Sequence, residues 1–404
     1  MNNVTQNFEI RNCSGCGACV NACPTKAISY STDAYGFIIP LIDESKCISC
    51  GKCINVCPFQ NVIDGAEPQK AYAAVCNDSN VLMNSSSGGV FYTLAKYIIE
   101  KKGCVFGASM NEKFEIEHIC VENIEDLSKL QKSKYVQSFI GNAYSIAKNK
   151  LKDGRLVLFS GTPCQIAAMK ACVKGLDTTN LYLVEIVCHG VPNQQLFNSY
   201  LDNLQSEKSR LKKYTFRYKR KLQNGMNDFL QYQIGNKSRV KNWVEDSFHF
   251  FFMSAAIDRE CCFSCKYAKK ERVADITLCD YWHWGNYHEK DFKSCSTVSG
   301  VIINSSKGFS ILDQIKTSLL LVQTEFNNIA RHNGCLLKPT SSPKNRQFVL
   351  DLWKKSGYAA VESWYKRKYR FRRIKSKLTM LFPEKIKLYI HKLRMQIIEV
   401  FHGH

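Results

Sequence analysis

A four-cysteine run occurs twice between residues 13 and 58. The copies read Cys13-Ser-Gly-Cys16-Gly-Ala-Cys19-Val-Asn-Ala-Cys23-Pro24 and Cys47-Ile-Ser-Cys50-Gly-Lys-Cys53-Ile-Asn-Val-Cys57-Pro58. Each is C-x2-C-x2-C-x3-C-P, so the segment is an internal repeat. Three closely spaced thiolates clasp one face of an iron–sulfur cubane, and the loop between them must turn tightly. Gly15, Gly17 and Gly51 suit that turn. In two-cluster proteins of this pattern the fourth cysteine of each run ligates the other cluster. The spacing therefore assigns Cys13, Cys16, Cys19 and Cys57 to one 4Fe–4S cluster, and Cys47, Cys50, Cys53 and Cys23 to a second. Zinc sites use C-x2-C pairs set apart, and disulfides need an oxidising compartment, so both fit the run poorly.

The run resembles bacterial-type ferredoxins, which says that electrons pass through but not where they go. The chain has 404 residues, enough for two or three domains. Residues 1–10 carry no basic or apolar leader pattern, and no apolar stretch approaches a membrane span, so a cytoplasmic location is expected. The formal charge of +21 counts cluster ligands as neutral. A cubane with four thiolates carries roughly −2, and a bound flavin dinucleotide is also anionic. Residues 364–404 hold twelve Lys/Arg against two Glu, net +10, which leaves +11 for the rest. Nucleic acid is accordingly not an expected partner.

Residues 27–30 and 36–39 read as a small hairpin, and 61–70 as a linker. A strand at 71–75 opens a new domain. The loop Asn84-Ser-Ser-Ser-Gly-Gly89 precedes a helix in which Val90, Leu94, Tyr97 and Ile98 share a face. A Ser/Gly loop at a helix start can hold phosphate, although a plain serine N-cap is the simpler reading. Residues 155–160, 165–171 and 181–187 form a strand, helix, strand unit with parallel strands. Cys164 and Cys188 then stand at the carboxyl ends of strands, where open α/β sheets bind ligands. Cys164 also starts a helix, which favours its thiolate. Cys262 and Cys265 form a C-x2-C pair. Together these four suggest a third 4Fe–4S cluster. Zinc at the pair, or packing roles for Cys164 and Cys188, are the alternatives, and Cys261 could replace Cys262 as a ligand.

Several ordered motifs resemble the coenzyme F-420 hydrogenase/dehydrogenase beta-subunit family: Ser85-Ser-Ser-Gly-Gly89, Ser133-Lys-Tyr-Val-Gln-Ser138, Gly161-Thr-Pro-Cys-Gln165, Cys188-His-Gly-Val-Pro192, the stretch 262–268 and Asp275-Ile-Thr-Leu-Cys-Asp280-Tyr-Trp282. The likeness covers roughly residues 8–305. It implies an FAD-binding α/β domain beside an iron–sulfur cluster, with flavin contacts at Ser86, Ser87, Gly88, Gly89, Lys134, Tyr135, Gly161 and Thr162. Family members pass electrons between clusters and a deazaflavin or another reducible substrate through FAD. Bacterial members similar to this one often accompany polysaccharide-biosynthesis genes. Two positions depart from the family pattern: Cys279 stands where glycine is usual, and Cys261 where serine is common.

The expected architecture is α/β (α+β overall), with a ferredoxin-like βαβ repeat at 1–60 and the linker at 61–70. A mixed-sheet flavin-binding domain follows at 71–190, then a C-terminal domain with the central cluster ligands at 191–340, and a basic helical tail at 341–404. Beyond Pro383, Ile386, Ile390, Leu393, Ile397 and Val400 recur at helical spacing among lysines and arginines, a pattern for peripheral contact with the inner membrane face or for packing on the body. The expected function is an oxidoreductase taking electrons from a donor such as ferredoxin to a reducible substrate. His189 and Asp280 are the candidates for proton delivery. The rivals are an electron-input subunit for a separate catalytic partner and a scaffold with structural clusters. No complete G-x-G-x-x-G supports a nicotinamide site.

Overall fold

The structure is a computed structural model that describes residues 2–5, 8–206, 209–219, 229–293 and 295–381. The helix pattern expected around Ile386–Val400 lies outside them. Chain order in the amino-terminal module gives the short helices Ala18–Ala22 and Lys52–Asn55 around an antiparallel pair, β1 (Ile28–Thr32) and β2 (Ile38–Ile42). Gly17 and Gly51 start those helices at φ +75° and +68°, a conformation that a side chain would strain.

The body is an eight-stranded mixed sheet. Its strands are β3 (Lys70–Cys76), β4 (Cys104–Met110), β5 (Ile116–Val121), β6 (Val157–Gly161), β7 (Leu181–Ile186), then, beyond a separate small sheet of β8 (Leu211–Tyr218), β9 (Phe229–Ile234) and β10 (Lys237–Asn242), β11 (Ile276–Asp280), β12 (Ser299–Ile303) and β13 (Leu319–Thr324). The order is β13-β3-β12-β11-β7-β6-β4-β5. β4, β6, β7 and β11 run parallel, while β5, β12 and β13 pair antiparallel to their neighbours. β6 shows why this sheet forms. Val157, Leu158 and Phe159 are all fully buried, because a central parallel strand is covered on both faces. Val157 and Phe159 point to one core and Leu158 to the other.

Helices α1 (Val90–Glu100), α2 (Ala143–Lys152) and α3 (Pro163–Cys172) flank this sheet. Leu94 and Ile98 of α1 pack on the Leu158 face, and Tyr144 of α2 and Ile166 of α3 on the other. The expected boundary at residue 190 falls inside the layer, since β3–β7 and β11–β13 share one sheet. The 61–70 segment is also held, with Ala66 and Arg272 exchanging backbone hydrogen bonds of 2.8 and 2.9 Å.

A third core is aromatic. Helix α4 (Gln194–Leu204), the small sheet β10-β9-β8 and helix α5 (Ser247–Met253) bring together Phe197, Tyr200, Tyr214, Phe216 and Phe248. Helix α6 (Arg346–Lys368) closes it with Val349, Leu350, Trp353, Tyr358, Val361 and Tyr365, bending at Gly357. The start of the expected tail is therefore part of the body. Helix α7 (Arg370–Leu381) follows.

Candidate redox site

Cys13, Cys16, Cys19 and Cys57 line a single small cavity with Phe59. Burial raises the Cys16 thiol pKa well above normal, and the adjacent Cys57, Cys19 and Cys13 thiols raise it further. The fold thus brings the fourth cysteine of the second run against three of the first. The Gly15 N–H reaches Cys13 Sγ at 3.3 Å. In the other set, Cys53 and Cys23 share a small apolar cluster with Val4 and Ile28. Ala27 N–H donates to Cys23 Sγ at 3.3 Å. Cys50 is exposed, with Ile48 beside it in the chain 64% exposed.

Cys164 follows the carboxyl end of β6 and Cys188 that of β7, on the same sheet edge as Asp280 at the end of β11. Cys262 and Cys265 come from the 3-10 turn Glu260–Ser264 and its cap. The Cys188 thiol is raised by burial and then by Cys262, Cys164 and Cys265, and all four cysteines line one cavity. The helix start does not win at Cys164: burial, then the Cys265 and Cys262 thiols, push it up to about 12. Cys261 lines the same cavity and hydrogen-bonds Cys262, holding the Cys262 thiol below its usual pKa. Among the described residues, only Cys104, Cys120 and Glu122 place three donor atoms within 4.8 Å of one another. Thiolates around one zinc sit about 4 Å apart. Among the described residues, no three of the twelve expected ligands form so tight a group.

Buried side chains tie the two regions together. Arg259 is 3% exposed and donates to Cys13 O at 2.9 Å, Ile38 O at 2.8 Å and Gln137 Oε1 at 2.8 Å. Gln137 Nε2 donates to Ser14 O at 2.8 Å. Tyr267 donates to Pro58 O, and its phenol pKa is raised by burial and then by nearby Cys164, Cys16 and Cys265. Removing the staple with Arg259→Ala orphans three buried acceptors, at a cost of about 2–4 kcal/mol. Hydrogen exchange should rise around residues 13–15 and 137 with the iron count unaltered. Unchanged exchange there would show that the staple is not what holds the module.

A cavity of about 2530 Å³ of empty space, mouth included, opens beside the four central thiols. It runs from Ser85, Ser86, Ser87 and Gly89, past Lys132 and Lys134, to His189, Arg217 and Trp282.

A family model for the C terminus of the coenzyme F420 hydrogenase/dehydrogenase beta subunit matches residues 154–328, and two 4Fe–4S dicluster models match residues 12–61 and 39–86. The chain carries this beta-subunit domain behind a dicluster domain. A chain of the F420-reducing [NiFe] hydrogenase complex from Methanosarcina barkeri is 14% identical, with a TM-score of 0.44, covering 76% of this chain and 93% of that one. Among curated proteins, no match was found. The beta-subunit domain contains Cys164, Cys188, Cys262, Cys265 and Asp280, whereas the Ser/Gly loop and Lys134 precede it.

Around the beta-subunit domain, the other expected contacts divide. Tyr135, Gly161 and Thr162 line the cavity. Gly88 does not: its N–H bonds Ser299 Oγ at 2.8 Å, and a Cβ would lie 2.2 Å from Ala74 O, so it serves packing between strands. Ser87 Oγ donates to Val298 O, and Ser86 Oγ accepts from Ser133 N–H at 2.8 Å. Lys134 Nζ donates to Lys129 O and Gln131 O. Burial and then Lys132 push the Lys134 amine down to about 7. Thr162 caps α3 in a box with Gln165. Tyr135 stacks on Phe252 at 4.3 Å.

His189 Nδ1 lies 3.4 Å from Asp258, whose carboxyl is fully buried and raised in pKa by that burial. Asp280 is ion-paired with Arg217, and Arg217 lies 5.6 Å over the Trp282 ring. Both proton-delivery candidates are thus engaged with protein partners. Arg217, Lys132 and Arg259 carried no motif in the sequence, and Gln137 sits in the Ser133–Ser138 motif with no contact assigned to it. Their only signal was a basic or amide residue beside an aromatic or cysteine-bearing segment.

Proposed function

We propose that this chain is an iron–sulfur flavoprotein oxidoreductase that takes electrons one at a time and delivers them in pairs to a reducible substrate. Cys47, Cys50, Cys53 and Cys23 hold the outer cluster, Cys13, Cys16, Cys19 and Cys57 the inner one, and Cys164, Cys188, Cys262 and Cys265 the central one. A small donor such as ferredoxin meets the exposed edge at Cys50. FAD occupies the large cavity, where it couples single-electron carriers to hydride-type chemistry. The whole process belongs to the cytoplasm.

One observation carries the flavin reading. The cavity wall includes Lys132, Lys134, Arg217, Arg259 and Arg272, and Asp280 is its one carboxylate among the described lining residues. Arg259 and Arg272 stand near the central thiolates, and Arg217 is paired with Asp280. Lys132 and Lys134 then remain for an anion at the Ser/Gly end. A diphosphate there supplies the charge that these desolvated amines lack. Arg217, Asp280 and Trp282 form the wall met by the substrate.

Anaerobic purification should give a brown protein that releases FAD on denaturation, and Lys134→Ala should weaken FAD retention about tenfold. A preparation with full iron and no isoalloxazine would overturn the flavin assignment. The second reading is an electron-input subunit, favoured because the matched family is described as a beta subunit. Turnover of a substrate by the isolated chain would exclude it.

A further inference from the structure

Helix α7 is mounted the wrong way round for a soluble protein. Its polar side faces the body: the Arg372 guanidinium lies 5.2 Å over Trp243 and 5.1 Å over Phe250. Asn242 Nδ2 donates to Ser376 Oγ at 2.6 Å. Its apolar residues point outward. Phe371 is 71% exposed, Ile374 53% and Leu378 55%, and their spacing places them on one stripe. Helix α6 holds this base in place through buried Val361 and Tyr365. Residues 366–377 carry eight Lys/Arg and no Asp or Glu.

We propose that the Phe371–Ile374–Leu378 stripe of α7 docks the protein on an anionic lipid surface. The three apolar side chains enter the interface while the surrounding Lys and Arg meet the headgroups. Charge selects this occupant over the chain's own remainder. Residues 382–404 hold four Lys/Arg against two Glu, so they too are cationic and gain nothing electrostatically by covering this surface. The docking is independent of the redox reading.

Flotation of the anaerobically purified full chain tests this. Vesicles of phosphatidylcholine mixed with phosphatidylglycerol should carry the protein up, vesicles of phosphatidylcholine alone should not, and high salt should release it. The variant Phe371→Glu/Ile374→Glu/Leu378→Glu should float about tenfold less, with its cluster absorbance unchanged as proof of folding. A chain ending at residue 381 should still float. Failure of the full chain to float on the anionic vesicles, or equal recovery of the triple variant, overturns the proposal. Binding that appears only once residues 382–404 are removed also overturns it, because the stripe would then be covered by the chain itself.

Discussion

Cys262→Ser is expected to lose about four of about twelve irons, whereas Cys261→Ser keeps them all. The two thiols are neighbours in sequence, and the proposed ligand set separates their roles. Cys262 stands within electrostatic reach of Cys164, Cys188 and Cys265, whereas Cys261 is reached by Cys164 alone of these three and has its thiol engaged by Cys262. A serine hydroxyl is a hard, weakly acidic ligand that holds iron poorly in place of a thiolate. Iron and sulfide analysis of anaerobically purified variants reads the difference directly, and Cys188→Ser should match Cys262→Ser. The opposite pattern would move the ligand to Cys261. Full iron in both variants would remove the third cluster from this chain.

Glu185→Ala should be the most destabilising single substitution. Glu185 sits mid-strand in β7 and accepts from Arg272 Nε and from Thr277 Oγ1 at 2.7 Å. Both ion-pair partners are shut off from water, at 1% and 0% side-chain exposure. The guanidinium also donates to Tyr267 O at 3.0 Å and Lys269 O at 2.8 Å, which fixes the segment that follows Cys265. Removing the carboxylate strands a buried cation, which costs about 3–5 kcal/mol. The expected result is a lower unfolding temperature together with loss of the central iron, while the dicluster iron remains. Glu185→Gln keeps an acceptor for both partners and should lose less. Glu185→Leu combined with Arg272→Met should recover part of the stability, because no charge is then left buried. An unaltered unfolding temperature in Glu185→Ala would show that Arg272 finds another counter-charge.

What the sequence disclosed depends on how far apart the participants lie along it. The paired runs at 13–23 and 47–57 were readable because each cubane takes three of its ligands from one tight loop. Cys164 and Cys188 were readable as strand ends because buried parallel strands are unbroken apolar runs. The choice between Cys261 and Cys262 was not, since the two are adjacent in one 3-10 turn and line the same cavity. Arg259 and Cys13 are separated by 246 positions and Glu185 and Arg272 by 87, and no local pattern announces either contact. Gly88 was read as part of a phosphate loop, yet its missing side chain serves the approach to β3 and β12. The stretch now seen as α6 read as basic tail because its charges are dense, while its apolar residues find partners only in the distant aromatic core. Position 190 looked like a boundary because β11 returns to the sheet only after the intervening small sheet.

The Arg259–Gln137 clasp has a consequence for timing. Some electron carriers tether their metal centre on a swinging arm, and their turnover then follows the arm's diffusion. Here the amino-terminal module is bolted down, and even the stretch joining it to the body is paired to Arg272. The spacing between inner and central thiols is fixed once, when the chain folds. On the proposed function, the relay is then a rigid conductor whose mobile step is the encounter with the donor.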